Sequence, residues 1–280
     1  MQIVGQTNNL EMIDNWRNIP NSIIIEGSAG SGKKLLAKYI CNKFEADFVL
    51  IGNKVDNIRE MVLDAEQLNF HRVYVIDGSS MSIGAKNTLL KVTEEPPKNC
   101  HIVVTLASLQ QSLPTLISRS QIITMEPYTQ DNYLEYLRLK LPETSEDVIE
   151  EYVRLGSSFG NFKELVTNDI DMYYEKTTFF LDNIWKVTFA NALKITDGLK
   201  IKKKDLEDNE KLDCDLFVQC VLNLFHYESV TFHKDYSWQE LNQNAKFIIL
   251  TSNCLRQLRK KGTSKEVTIN NWLRELTELG

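Results

Sequence analysis

The sequence predicts an α/β fold with a parallel sheet wrapped by helices, followed by a purely helical region. Three observations support this fold class. Short apolar runs alternate with amphipathic helical patterns over the first two thirds of the chain, which is typical of parallel sheets. One β-branched run ends at a glycine-rich turn that opens a helix, and the strand pattern disappears after Pro127. We therefore expect a sheet domain first and helical domains after it.

Composition is that of an ordinary globular protein. The 280 residues suffice for an α/β core plus one or two smaller domains. Hydrophobic residues make up 42% and charged residues 25%, and no apolar run approaches the roughly twenty residues of a membrane helix. The first five residues have neither the basic start nor the apolar core of a signal peptide. We expect a cytoplasmic protein with no membrane partner.

The net charge and the cysteine spacing argue against two further classes, proteins that coat nucleic acid and zinc proteins. A net charge of -6 disfavours a protein that coats nucleic acid by itself. The basic patches Lys200 to Lys204 and Arg259 to Lys261 can touch phosphates, but such runs are usually solvated faces. The five cysteines contain no C-x-x-C pair, and the four histidines have no metal-like spacing to them. We therefore expect reduced thiols and no zinc.

Five strands are predicted for the sheet. They are Ser22 to Glu26, Asp47 to Ile51, Arg72 to Asp77, His101 to Leu106 and Gln121 to Met125. A helix capped by Asp56 is expected between the second and third strands. Another helix, from about Ser82 to Glu94, is stopped by Pro96 and Pro97, since the residue before a proline leaves helical geometry.

The remainder of the chain has helical patterns. Three short helices are predicted, at Thr129 to Lys140, Ser145 to Leu155 and Asn161 to Thr167. Longer amphipathic segments follow from about Asp171, with an exposed lysine-rich loop from Lys200 to Asn209. These patterns divide the chain into an α/β domain, a small helical domain and a larger helical domain. The expected boundaries are 1–126, 127–169 and 170–280.

The stretch from Ile23 to Lys34 has the order strand, phosphate loop, helix. Its glycines let successive backbone N–H groups wrap a phosphate, and Lys33 adds a positive charge. The helix that follows directs its N-terminus at the same point. The candidate nucleotide-binding residues of this loop are Gly27, Gly30, Ser31, Gly32, Lys33 and Lys34.

Two positions depart from the pattern of an active ATPase. The residue after the loop lysine is normally Ser or Thr, whose hydroxyl ligates Mg²⁺, whereas here it is Lys34, which has no lone pair. Asp77 ends the third strand where a metal-holding aspartate is expected, although a turn or cap residue fits equally. Gly78 follows where a catalytic glutamate would stand. We expect at most weak ATP or ADP binding, doubtful Mg²⁺ binding and no independent ATPase activity.

Three further segments carry a resemblance to a known family. The segment Asn87 to Pro97 resembles the helix-ending signature of clamp-loader subunits in the AAA+ superfamily. Leu116 to Gln121 resembles the Ser-Arg-Cys motif of that family, with Ser120 in place of the cysteine. Val4 to Gln6 matches a short motif near the adenine pocket. The resemblance implies an AAA+ P-loop domain, a small helical lid and a C-terminal all-helical collar for oligomerisation.

The resemblance also implies roles for individual residues. Arg119 corresponds to the arginine finger, which reaches a neighbouring subunit's nucleotide and whose planar guanidinium suits a γ-phosphate. Thr105 takes the position of the γ-phosphate sensor or has a structural role. Lys163 stands where a second sensor, normally arginine, is found. Independently of the resemblance, Glu94 and Glu95 oppose the dipole of their helix, which suggests a basic partner such as a residue of a neighbouring subunit, with two solvated glutamates as the alternative.

Within clamp loaders, some subunits hydrolyse ATP and others serve as stators with damaged nucleotide sites. The chain looks most like the second kind, the delta prime type of DNA polymerase III, although the four-cysteine zinc module of bacterial members is missing after Cys41. A phage or a reduced bacterial genome would suit this compact form. The implied partners are other loader subunits in a hetero-oligomer, expected as a pentamer, a sliding clamp, and primer-template DNA through the assembled complex. The alternatives are an ATP-hydrolysing motor subunit and a helicase-loading or initiator AAA+ ATPase.

Overall fold

The computed structural model describes residues 3–198, 212–231 and 236–279. The chain forms two compact units, Met1–Asn132 and Tyr133–Gly280. The loop predicted from Lys200 to Asn209 and the basic patch Lys200 to Lys204 lie outside the described residues. Over the described ranges, no helix has both the length and the apolar character needed to cross a bilayer.

The first unit contains a sheet of five parallel strands. The strands are β1 (Ser22–Glu26), β2 (Asp47–Ile51), β3 (Arg72–Asp77), β4 (Cys100–Leu106) and β5 (Gln121–Thr124). Their order across the sheet is β2-β3-β4-β1-β5. All five predicted strands are confirmed, with β4 starting one residue earlier and β5 ending one residue earlier than expected. The interior strand β1, which lies between β4 and β5, therefore places the glycine-rich loop at the carboxyl ends of the strands.

Helices cover both faces of this sheet. The helices are α1 (Thr7–Asp14), α2 (Lys33–Lys43), α3 (Val55–Ala65), α4 (Ile83–Glu94) and α5 (Pro114–Ile117). Ile23 and Ile25 pack with α1 and α2 on one face, and Ile24 packs with α3, α4 and α5 on the other. All three isoleucines are completely buried, as expected for a central parallel strand covered on both faces.

The helix ends follow local side-chain chemistry. Ser82 caps α4, where its hydroxyl accepts a hydrogen bond from the Ala85 N–H at 3.2 Å. The predicted cap at Asp56 is wrong, because α3 begins one residue before it, at Val55. Asp56 instead lies in the first turn, where its negative charge favours the helix N-terminus, and it pairs with Arg59 at 3.5 Å.

The described part of the second unit is helical. Its helices are α6 (Gln130–Lys140, which starts in the first unit), α7 (Glu146–Tyr152), α8 (Phe159–Thr167), α9 (Ile170–Ile184), α10 (Phe189–Gly198), α11 (Cys214–Thr231), α12 (Trp238–Leu258) and α13 (Lys265–Thr277). One hydrophobic core joins them, from Leu137 and Phe162 to Phe217 and Trp272. The segments expected as lid and collar thus share a core, and the division into three domains remains a prediction.

Candidate functional site

The phosphate loop lies between the carboxyl end of β1 and the start of α2. Gly30 and Gly32 have φ values of 75° and 86°, a left-handed conformation that glycine adopts without strain. Gly27 is required for a different reason. A Cβ on Gly27 would lie 2.7 Å from Met125 Cγ and 2.8 Å from the Ser31 hydroxyl. The loop therefore has the open backbone that the sequence predicts.

A cavity of about 400 Å³ lies at this loop. Its lining residues are Ala29, Gly30, Ser31, Gly32, Lys33, Lys34, Leu35, Asp77, Ser79, Thr105 and Ala107. The structure thus brings together the predicted loop residues from Gly30 to Lys34 with Asp77 and Thr105. Gly27 is not in the lining and instead supports the loop, since its N–H donates to the Leu106 carbonyl at 3.0 Å.

Lys33 is held against the loop that it follows. Its Nζ donates to the carbonyls of Gly27 and Ser28, each at 2.6 Å. Burial lowers the pKa of Lys33 below its usual value, the charge of Asp77 opposes this shift, and the charge of Lys34 adds to it. Lys34 is exposed at the cavity wall. Two ammonium groups and one carboxylate therefore face the same space.

Asp77 and Thr105 are direct neighbours at the carboxyl edge, because β3 and β4 pair them in register. Asp77 accepts a hydrogen bond from the Ser79 N–H at 3.0 Å, so it also caps the short turn after β3. Thr105 is buried and donates to the Ile76 carbonyl at 3.4 Å. Both side chains thus line the cavity and also have local structural bonds, so the sensor role of Thr105 remains a prediction.

Gly78 is closely packed at the place where an active ATPase has its glutamate. A Cβ on this residue would lie 2.6 Å from Leu106 Cδ2 and 2.7 Å from Val104 Cγ1. A larger residue would require both side chains to move. A glutamate at this position would therefore require the neighbouring strand β4 to repack its side chains.

Tyr128 is a site residue that the sequence did not reveal. Its hydroxyl donates to the carbonyl of Ser31 at 2.8 Å. Its ring lies beside Gly5 of the N-terminal motif, so that a Cβ added to Gly5 would be 3.1 Å from the ring. A lone tyrosine after a proline has no pattern that could indicate this role. Tyr128 thus joins the Val4 to Gln6 segment to the phosphate loop.

Gln6 fixes the N-terminal motif from the other side. Its side-chain amide donates to the Glu126 carbonyl and its amide oxygen accepts from the Glu126 N–H, both at 2.9 Å. Gln6 is buried and adopts a φ of 62°. This paired hydrogen bond anchors the chain before α1 to the residues that follow β5.

Arg119 lies just before β5 and is bound within its own chain. Its Nη2 is 3.4 Å from Glu94 Oε1, and its Nη1 donates to the Thr115 carbonyl at 3.1 Å. The cation at the end of α4 offsets the unfavourable helix dipole at Glu94. The basic group next to Glu94 is therefore Arg119 of the same chain. A cleft of about 680 Å³ contains Glu94 and Arg119 together with Pro20, Asn21, Ser22, Thr93, Pro96 and Gln121.

Arg119 lies at the amino ends of the parallel strands, and the phosphate loop lies at their carboxyl ends. β1 and β5 are parallel, and Ile23 pairs with Gln121. Arg119 precedes the amino end of β5, whereas the loop follows the carboxyl end of β1. The distance along the strands between Arg119 and the phosphate loop is roughly 20 Å. Arg119 is too far away to serve the cavity of its own chain.

The remaining predicted features lie outside these two sites. Lys163 is exposed on α8 of the second unit, and its role as second sensor stays a prediction. The five cysteines all lie within the described residues, where they are buried thiols outside any disulfide bond. Across the residues described by the structure, no three His, Cys, Asp or Glu side chains are grouped as metal ligands.

Comparison with known proteins supports one assignment. A family model described as DNA polymerase III, delta subunit matches residues 47–129, less than a third of the chain. The sliding-clamp-loader large subunit of Enterobacteria phage T4 is 24% identical over 177 residues, 56% of this chain and 55% of the relative. DNA polymerase III subunit tau of Bacillus subtilis is 30% identical over 42% of this chain and 27% of the relative. Subunit delta' of Haemophilus influenzae is 28% identical over 35% of this chain and 30% of the relative. The chain therefore spans about half or less of these relatives.

Solved structures agree on the fold over longer stretches. A DNA polymerase III gamma subunit-related protein of Thermotoga maritima matches 98% of this chain and 99% of its own, with a TM-score of 0.55 and 20% identity. The RuvB Holliday junction branch migration motor of the same organism matches 82% of each chain, with a TM-score of 0.52 and 14% identity. The fold and the phosphate loop define an α/β protein of the AAA+ class, which confirms the predicted fold class. The family match and the curated relatives show that the chain is similar to clamp-loader subunits of DNA replication over these parts of its length.

Proposed function

We propose that the chain is a delta prime-like stator of a replicative clamp loader. In this role it helps to load a sliding clamp onto primed DNA and supplies Arg119 to the ATP bound by a neighbouring ATPase subunit. The observation that carries the proposal is the position of Arg119 at the edge of the sheet opposite its own phosphate loop. From that edge the guanidinium can meet a nucleotide only if another subunit presents one.

The nucleotide site of the chain itself supports a stator and not a motor. The hydroxyl that would ligate Mg²⁺ is replaced by Lys34, and the close packing at Gly78 leaves little room for a catalytic glutamate. Both parts are normally needed for hydrolysis. A chain that lacks both groups and keeps Arg119 has the features expected of a subunit that acts on the nucleotide of its neighbour.

The proposed partners follow from the role. They are other loader subunits in a hetero-oligomer, expected as a pentamer, together with the sliding clamp and primer-template DNA. The net charge of -6 favours contact with DNA through the assembled complex over strong binding by this chain alone. Lys163 is proposed as a weakened second sensor, because a lysine keeps the charge of the usual arginine but loses its bidentate fork.

A motor subunit is the second candidate, and one observation favours it. The loop, Lys33, Asp77 and Thr105 still line one cavity, so the frame of a nucleotide site is present. On this alternative the chain would hydrolyse ATP with an unrecognised carboxylate as its base.

ATP turnover by the purified chain in the presence of magnesium separates the two candidates. The stator proposal predicts no turnover above that of Lys33→Ala, which removes the loop ammonium. Turnover that disappears in Lys33→Ala would overturn the stator proposal and support a motor. ATP hydrolysis by the loader assembled with Arg119→Ala then tests whether Arg119 acts on the nucleotide of the neighbouring subunit.

A further inference from the structure

The phosphate-loop cavity is poorly suited to a divalent cation. Lys34 lines it at the position where a hydroxyl would ligate Mg²⁺, and an ammonium group can only donate hydrogen bonds. Among the lining residues that the structure describes, Asp77 is the one carboxylate, and it already accepts the Ser79 N–H. Mg²⁺ prefers oxygen ligands and carries a double positive charge. A magnesium ion here would therefore meet a cation in place of a ligand.

The same cavity is well suited to an anion. It lies at the N-terminus of α2, an eleven-residue helix whose partial positive charge attracts phosphate. Lys33 and Lys34 add two cationic groups. Among the described residues, Lys33 Nζ donates to the carbonyls of Gly27 and Ser28, which are part of the loop itself, so a phosphate could take over its ammonium group.

Ser31 gives a second, independent indication of a ligand. Only 5% of this residue is exposed, and its hydroxyl has no hydrogen-bond partner among the described residues. A buried hydroxyl without a partner costs free energy unless something else satisfies it. Ser31 belongs to the cavity lining, so a bound phosphate oxygen is a suitable acceptor.

We propose that this cavity binds the polyphosphate group of a nucleotide without a divalent cation, with Lys34 supplying the positive charge that Mg²⁺ would bring. The ligand class is a nucleoside diphosphate or triphosphate, of which the phosphates form the recognised part. This proposal concerns the chain's own loop and does not depend on the role of Arg119 in a neighbour's site.

The charge balance sets the direction of the metal effect. Metal-free ADP carries more negative charge than its magnesium complex, and Lys33 and Lys34 exceed Asp77 by one positive charge. Magnesium would reduce the attraction and would bring a second cation near Lys34. Binding of ADP should therefore be tighter in EDTA than in magnesium, by about threefold or more.

The test is a titration of the full chain with ADP by calorimetry, once in EDTA and once in magnesium. Pyrophosphate should bind in EDTA as well, whereas adenosine should not. Lys33→Ala should lose binding in both buffers. Lys34→Thr restores the hydroxyl, and this variant should reverse the metal effect and bind ADP more tightly in magnesium.

The controls keep the outcome decisive. Lys38→Thr changes an exposed lysine of α2 that does not line the cavity, and its binding should equal that of the unmodified chain. Circular dichroism checks that each variant is folded. Tighter binding in magnesium by the unmodified chain, or no ADP binding by the folded chain in EDTA, would overturn the proposal. An unchanged metal effect in Lys34→Thr would also overturn it, since the effect would then not arise from Lys34.

Discussion

The carboxylate of Glu94 and the guanidinium of Arg119 form an ion pair in which Oε1 and Nη2 are 3.4 Å apart. Glu94 ends α4, and Arg119 stands before β5, so the pair joins two elements at the amino edge of the sheet. The two side chains are 46% and 42% exposed. Exposed pairs of this kind contribute little to stability, so a phosphate from a neighbouring subunit could displace Glu94 at small cost.

Glu94→Gln should therefore change the free energy of unfolding by no more than about 1 kcal/mol. Denaturant unfolding of the purified chain measures this quantity. Asp56→Asn is a matched control, because Asp56 also forms an exposed pair with an arginine, at 3.5 Å. A much larger loss for Glu94→Gln than for Asp56→Asn would mean that the pair is a structural bond and that Arg119 is not free to leave it.

Gly27→Ala should destabilise the first unit by about 1–3 kcal/mol, since the added Cβ would overlap Met125 and the Ser31 hydroxyl. Gly84→Ala is the matched control. A Cβ on Gly84 would lie 3.6 Å from its nearest neighbour, Val55 Cγ2, and alanine favours the helix by up to about 1 kcal/mol. Thermal melts of both variants test the contrast. Equal stability of the two would show that the loop tolerates a side chain at position 27.

The buried imidazole of His101 should make folding stability depend on pH. Its Nδ1 is 3.2 Å from the Pro20 carbonyl and its Nε2 is 2.9 Å from His71 Nδ1. Burial lowers the pKa of His101 below its ordinary value, the carbonyl of Pro20 opposes this shift, and the nearby His71 adds to it. The unfolded chain therefore binds more protons near pH 6, so the free energy of unfolding should fall as the pH drops below about 6.5.

Denaturant unfolding between pH 8 and pH 5 measures this dependence, which is at most about 1.4 kcal/mol per pH unit for one group. His101→Gln should flatten the profile, and the exposed His226 serves as a control through His226→Gln. A profile that stays the same in His101→Gln would assign the pH dependence to other groups.

The five thiols should be unreactive in the folded chain. Burial raises the pKa of Cys41 and Cys214 to about 11 and that of Cys100 and Cys254 to about 12. Burial also raises the pKa of Cys220. Because the thiolate is the reactive form, a thiol-specific disulfide reagent at pH 8 should react slowly with the folded chain and rapidly with all five cysteines after unfolding. Rapid reaction of any thiol in the folded chain would contradict this expectation.

Much of the first unit could be predicted because its signals are local. Each strand is a continuous apolar run bounded by polar residues, and the loop from Gly27 to Lys34 is a pattern of residue types at fixed spacing. Parallel pairing then brings Asp77 and Thr105 together at the carboxyl ends of the strands, since Asp77 ends β3 and Thr105 is the last residue but one of β4. Asp77 was predicted from its position at the end of a strand, whereas Thr105 was implied by the family resemblance.

The contacts that were not predicted depend on tertiary packing. Tyr128 reaches the Ser31 carbonyl across 97 positions of sequence, and no local pattern marks that tyrosine. Asp56 suits a helix cap by type, but α3 begins one residue earlier. Glu94 was expected to have a basic partner, and it pairs with Arg119 of the same chain, which only the fold could reveal.

The central claim is that Arg119 acts on a neighbour's ATP, and ATP hydrolysis by the reassembled loader tests it most directly. The loader is assembled with its clamp and primed DNA, using either the unmodified chain or Arg119→Ala. Arg59→Ala is the matched control, because Arg59 is another exposed arginine paired with a carboxylate. Arg119→Ala should slow ATP hydrolysis at the neighbouring site by about 10³-fold and leave the assembly intact. The total ATP hydrolysis of the loader should then fall by the fraction that this one site contributes. Hydrolysis by the Arg119→Ala loader equal to that of the unmodified and Arg59→Ala loaders would contradict the claim.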